Sequence, residues 1–403
     1  MPGPSGSLAG RRLRITARLL AAALVLVSTP ALAAARPTDY EIELAQIRKD
    51  IDEVRDGAFA APIDVGRATR LVFLLYRFSS LTASFADFRS TETAIDKALE
   101  LVGPSEDLIL LRANLDFKLH RLARTKADLA MVPDLAGSAG VKALRADLDL
   151  QEGRYEEARR GYEKVVEQGR TSSSLGAWDN LARLAYLETK TGDVAGGLKL
   201  YREAQDEITA KEMRSYAWVE LQDGLLDFDS GRYDKALAHY RRAARAYSGY
   251  WLIEEHMAEV LDLLGHTGEA IDLYRRVIER TQNPEYVGAL AVIVDRRDHA
   301  AAEIMFQEAD RLFRERYALY PEAAIGHFIR YMIARKDAGP ELLEMAEKNY
   351  RLRPNADSKL LLARAYFKLH RTAEASALVD EILATPWRTP EIARFSRLVR
   401  ASR

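Results

Sequence analysis

The residues able to do chemistry are few and scattered. Seven histidines, at 120, 239, 256, 266, 299, 327 and 370, contain no HExxH pair for zinc. His299 and Glu303 lie one helical turn apart and could hold a metal together, but no third ligand is apparent in the sequence, so the residues call for no metal and no cofactor. There is no cysteine, which removes thiolate metal sites, disulfides and a lipidated N-terminal cysteine. No GxxxxGK or GxGxxG follows a strand-like segment, and residues 34–403 carry no G-x-S-x-G elbow. Glu255, Glu259 and Asp262 share one helical face, and an acidic stripe of that kind suits cationic side chains better than catalysis. The sequence therefore points away from an enzyme.

The elements that position these residues recur. Gly153-Arg154-Tyr155-Glu156-Glu157-Ala158 is followed by Tyr162, and Gly231-Arg232-Tyr233-Asp234-Lys235-Ala236 by Tyr240 at the same offset. Looser copies run through Gly192, Gly197 and Tyr201, and through Gly265, Ala270 and Tyr274. Glycine closes one helix, the tyrosine opens the next, and alanine lies where the two cross. At two distant turns histidine takes the glycine position, inside the same pentapeptide Phe-Lys-Leu-His-Arg, at 117–121 and 367–371. Such identity implies duplication of one unit of thirty-odd residues, and hence stacked helical hairpins.

These positions resemble the tetratricopeptide repeat. The resemblance implies an all-α fold, a right-handed superhelical solenoid of stacked antiparallel helix pairs, about nine units in all. First helices would line a concave groove that binds protein segments. The expected organisation is a signal peptide over 1–33, a linker and amphipathic helix over 34–60, the repeat array over 61–389 and a capping helix over 390–403. In that last helix Ile392, Phe395, Leu398 and Val399 should face inward, with Arg394, Arg397, Arg400 and Arg403 forming a basic stripe on the other side.

By repeat position, Asn114 and Phe117, Asp147, and Tyr186 are expected to point into the groove. Trp218, Leu221, Leu225 and Phe228 follow, then Glu255, Glu259 and Asp262, then His327 and Tyr331, and finally Arg364 and Phe367. An aromatic and apolar centre beside an acidic stretch suits a partner segment with hydrophobic anchors and a few Lys or Arg side chains. The carboxylate-clamp pattern of some repeat proteins is not apparent, because Asn114 and Arg364 are isolated.

The 403 residues are 48% hydrophobic and 30% charged, enough for a large core. Formal net charge is -1; residues 1–33 hold Arg11, Arg12, Arg14 and Arg18 and no acid, leaving -5 on the remainder. A mildly acidic body disfavours nucleic acid as a partner. The arginines precede the uncharged stretch Leu19 to Val27 and then Ala31-Leu32-Ala33, the layout of an export signal cleaved before Ala34, with an apolar core too short for a stable membrane span. The expected product is a non-enzymatic periplasmic scaffold or assembly factor. The alternatives are an accessory protein of exopolysaccharide secretion and a hydrolase using His299 and Glu303.

Overall fold

The computed structural model describes residues 36–403 apart from 134–136, 173–177, 336–338 and 403. The expected signal segment and Arg403 lie outside the described residues. Thr38–Arg403 forms one compact unit. Its described residues are all-helical, with no strand. Helix α1 (Asp39–Arg55) comes first, followed by α2 (Val65–Thr82) paired with α3 (Phe85–Val102), α4 (Glu106–Lys118) with α5 (Leu122–Ala130), and α6 (Ala139–Gln151) with α7 (Tyr155–Ser172). Then come α8 (Trp178–Thr191) with α9 (Val194–Glu207), α10 (Met213–Asp229) with α11 (Tyr233–Ala246), and α12 (Trp251–Leu263) with α13 (Thr267–Thr281). The series ends with α14 (Pro284–Asp295) and α15 (His299–Leu319), α16 (Pro321–Ala334) and α17 (Pro340–Leu352), α18 (Ala356–Lys368) and α19 (Thr372–Leu383), and finally α20 (Pro390–Ala401). Neighbouring pairs stack along the chain, as in a tetratricopeptide-like solenoid.

Local chemistry explains the boundaries. Thr38 and Glu41 form a reciprocal capping box at α1, and Ser105, Ser138, Asn355 and Thr389 accept hydrogen bonds from the first turns of α4, α6, α18 and α20. Proline occupies the first turn of α14, α16, α17 and α20, where no amide hydrogen is needed. Gly153, Gly231 and Gly265 turn between paired helices with φ of 75°, 74° and 86°. His120 and His370 do the same at 57° and 59°, so the two histidines do stand in for glycine at equivalent turns.

The repeat residues pack as their spacing requires. Ala158, Ala236, Ala270 and Ala375 are completely buried at helix crossings, and Tyr162, Tyr201 and Tyr240 are buried beside them. Tyr155 is buried as well, whereas Tyr233 is only partly covered, against Phe228. Gly224 faces Tyr240 so closely that a Cβ there would lie 2.3 Å from its ring. Gly224→Ala should therefore destabilise the protein by about 1–3 kcal/mol through overpacking. A urea denaturation midpoint equal to the wild type's would show that the ring moves aside freely.

One feature of the fold was not apparent in the repeat pattern. Asp39 accepts hydrogen bonds from both the amide and the hydroxyl of Ser248, at 2.9 and 2.7 Å. Trp251 Nε1 donates to the Leu81 carbonyl at 3.0 Å, and Tyr320 Oη to Glu92 at 3.1 Å. Asn355 donates to the Gln151 carbonyl, the Ala356 amide to Tyr155 Oη, the Arg388 amide to the Lys190 carbonyl and Arg394 to the Asp229 carbonyl. The later partner advances as the earlier one does. That is the register of a coil stacking on itself; a chain folded back as a hairpin would show the opposite trend. The hydrogen-bonded side-chain pairs lie 165 to 228 residues apart, the length of about one superhelical turn. Gly153 shows how near the turns come, since a Cβ there would be 2.8 Å from the Pro354 carbonyl oxygen.

The capping helix differs in detail from expectation. Ile392, Phe395 and Val399 are buried, but Leu398 is 51% exposed because it lies on the outer side of α20. Arg394 is drawn to the Asp229 carbonyl, so the basic stripe is partly engaged.

Candidate functional site

Stacking of the superhelical turns narrows the concave groove to a half-open chamber of about 760 Å³. Its wall combines Phe85 and Phe88 of α3, Lys118 at the end of α4 and His120 at the turn beyond it. Trp251, Leu252, Glu255, His256 and Glu259 come from α12, and Tyr274 from α13. Glu285 and Tyr286 open α14, Phe313 and Arg316 project from α15, and His327 and Arg330 from α16. Several of these side chains touch solvent in the lumen while protein surrounds them. The volume falls in the usual range for ligand sites, and the wall mixes aromatic rings with a few convergent charges.

The acidic side is built by α12 and α14. His256 Nε2 is 3.0 Å from Glu255 and its Nδ1 3.8 Å from Glu259, while His327 Nδ1 is 2.8 Å from Glu285. Burial alone would lower the His256 pKa, but the two carboxylates dominate and push it up to about 10. Burial raises the Glu255 carboxyl, whereas Glu285 is held below its ordinary value because His327 and Arg316 outweigh burial. A histidine pKa raised on folding contributes stability fully below its ordinary 6.5, and that contribution is lost as the pH rises through about 10. His256→Asn should therefore lose less stability than the wild type between pH 6.5 and 10 in paired urea titrations. Equal losses would mean that the ion pair does not form.

The expected groove residues separate into groups. Glu255 and Glu259 line the chamber, with His327 opposite. Asp262, one turn further along α12, leaves the group: Arg296 holds it at 2.8 Å and Thr267 donates to it. Leu221 is 1% exposed within the core and Tyr331 8% exposed, its hydroxyl donating to the Phe306 carbonyl. Leu225 and Phe228 pack against the same core as Leu221. Phe117 and Trp218 are half-buried against neighbouring cores, and the Asn114 amide donates to the Leu110 carbonyl of its own helix.

The remaining members meet the protein's own later helices or neighbouring repeats. Tyr186 meets the edge of Trp387 at 6.4 Å, and Phe367 packs on Phe395 at 5.7 Å. Asp147 accepts from Tyr162 and Arg183, and Arg364 pairs with Glu391 at 2.9 Å. The aromatic section of the groove expected for a partner is thus partly filled from within. Lys118, Trp251, Glu285, Arg316 and Arg330 escaped the repeat-position reading, and His120 was visible only as a turn residue. His299 pairs with Asp295 at 2.6 Å and Glu303 with Arg335 at 3.6 Å, so the two do not form a ligand pair; among the described residues no three His, Asp or Glu side chains gather as a metal site.

The segment from the end of α10 through most of α14 carries the repeat signature on which the chamber's acidic side is built. Residues 227–293 match the tetratricopeptide repeat family. This tetratricopeptide segment holds Glu255, His256, Glu259 and Glu285. No curated protein matches the sequence. Solved structures similar to the chain include yeast Tom70, at 14% identity over 90% of this chain and 93% of that one, with a TM-score of 0.37. The Cut9–Hcn1 hetero-tetramer of APC/C shares 14% identity over 90% and 76%, with a TM-score of 0.45. The apo quorum sensor NprR of B. thuringiensis shares 16% over 86% and 95%, with a TM-score of 0.42.

Proposed function

We propose that this chain is a non-enzymatic scaffold, exported to the periplasm, that binds a segment of another protein in the chamber between its superhelical turns. The observation that carries the reading is the chamber itself, where Glu255 and Glu259 stand beside Trp251, Leu252 and Ala289. A segment with an apolar anchor and a Lys or Arg side chain fits that wall by shape and charge. Export is supported by the arginine-led apolar stretch ending at Ala31-Leu32-Ala33. The mature chain should start at Ala34; an N-terminus at Met1 in recovered protein would refute export by this signal. Suitable settings are assembly of an envelope or secretion complex, or maturation of an exported enzyme.

Alanine at both Glu255 and Glu259 should weaken partner capture about tenfold, roughly 1.4 kcal/mol, with folding retained. Asp262→Ala should leave capture unchanged, because that carboxylate is committed to Arg296. Affinity measured with all three proteins checks both statements. Equal weakening by Asp262→Ala would move the site out of the chamber.

A further inference from the structure

Helix α10 carries a carboxylate where its spacing calls for an apolar side chain. Val219 and Leu226 pack into the core shared with Ala182 and Ala185 of α8 and Tyr201 of α9. Asp223, four residues after Val219 and three before Leu226, lies on the same face, in the seam between the α8–α9 and α10–α11 units. It is 9% exposed, and its Oδ1 is buried without a hydrogen-bond partner. The donors nearby serve its neighbour instead. Glu220 takes His239 Nδ1 at 2.8 Å, Arg242 Nε at 3.2 Å and the Tyr216 hydroxyl at 3.4 Å.

An ionised carboxylate in such a seam loses hydration that no hydrogen bond to its Oδ1 replaces, whereas the protonated acid is tolerated. Around Asp223 stand Tyr201 and Arg202 from α9, His239 and Arg242 from α11, and Tyr216, Glu220 and Asp227 from its own helix. Burial pushes its carboxyl up to about 6; Glu220 adds to the rise, and His239, Arg202 and Arg242 oppose it. A carboxyl raised on folding contributes stability that is full below its ordinary 3.8 and is lost as the pH rises through about 6. The seam also anchors the last superhelical turn. Lys190 of α8 and Asp229 of α10 meet across it at 3.6 Å, and their carbonyls receive the Arg388 amide and the Arg394 guanidinium.

We propose that this seam is a pH-sensitive joint: protonated Asp223 lets it close and hold the last superhelical turn, and ionised Asp223 loosens both. The device stands apart from the chamber and from any partner held there.

Hydrogen exchange of the full chain at pH 5 and pH 7.5, corrected for the intrinsic amide rates, tests the joint. Between those two values, opening of α10 and of α20 should increase about tenfold more in the wild type than in Asp223→Asn, which keeps the shape of the protonated acid. At pH 5 the two proteins should open about equally. Asp223→Leu, which continues the stripe of Val219 and Leu226, should show the same flattened response, and it decides the matter should Asp223→Asn prove unfolded by circular dichroism. Equal increases in the wild type and in whichever of the two variants folds would overturn the proposal. A difference confined to α10, with α20 unchanged, would also overturn it, because the seam would then not hold the last turn.

Discussion

Tyr155→Ala should lower the free energy of unfolding by about 3–5 kcal/mol, as expected for removing a buried aromatic ring. The ring is 4% exposed and stacks on Trp387 with centroids 4.9 Å apart. Its Oη also accepts the Ala356 amide at 2.7 Å, so alanine would leave both a cavity and a buried amide without a partner. Tyr155→Phe removes only the hydrogen bond and should cost about 1 kcal/mol. Because Trp387 and Ala356 lie one superhelical turn away, hydrogen exchange in Tyr155→Ala should quicken in α18 and in the segment after α19 as well as in α7. Loosening confined to α7 would mean that the turns are not clamped here.

Trp251→Ala should be comparably severe, about 3–5 kcal/mol by the same cavity logic. The indole is buried, donates to the Leu81 carbonyl across the turns, and lies against Tyr250 at 5.6 Å and Tyr286 at 6.1 Å. It also forms chamber wall, so the substitution should abolish partner capture along with the stability. Ile304→Ala is the matching control, since that side chain is 69% exposed and its loss should stay within about 0.5 kcal/mol. Chemical denaturation of the three proteins checks the ranking. A Trp251→Ala cost near that of Ile304→Ala would remove the indole as a cross-turn contact.

The two tyrosines of the clearest repeats show how far sequence alone reaches. Tyr162 and Tyr240 are buried where periodicity put them, because packing within a hairpin is fixed by residues a few turns apart. Tyr155 was legible as a core residue, but its partners were not. Contacts between superhelical turns depend on small rotations accumulated over about 200 residues, and no local spacing encodes that sum. The same limit separates His120 from His370. They occupy equivalent turns with the same φ, yet one lines the chamber while the other is exposed, because only the first has a superhelical turn opposite it.

The candidate site was legible in part for a related reason. Helical spacing places Glu255, Glu259 and Asp262 on one face, and Glu255 and Glu259 do reach the chamber. Asp262 is taken by Arg296 from the next helix pair, a competition between repeats that the helical face alone does not reveal. Lys118 and Arg330 come from distant units and acquire meaning only when the coil closes.

The most direct test of the account is site-specific photocrosslinking in a cell-envelope extract. The photoreactive residue p-benzoylphenylalanine would replace Leu252 in the chamber wall in one protein and Ile304 on the exposed surface in another. A chamber that receives a protein segment predicts a discrete adduct from position 252, reduced by alanine at Glu255 and Glu259, with none from 304. An adduct from 304 with none from 252 would place the partner on the outer surface and contradict the account.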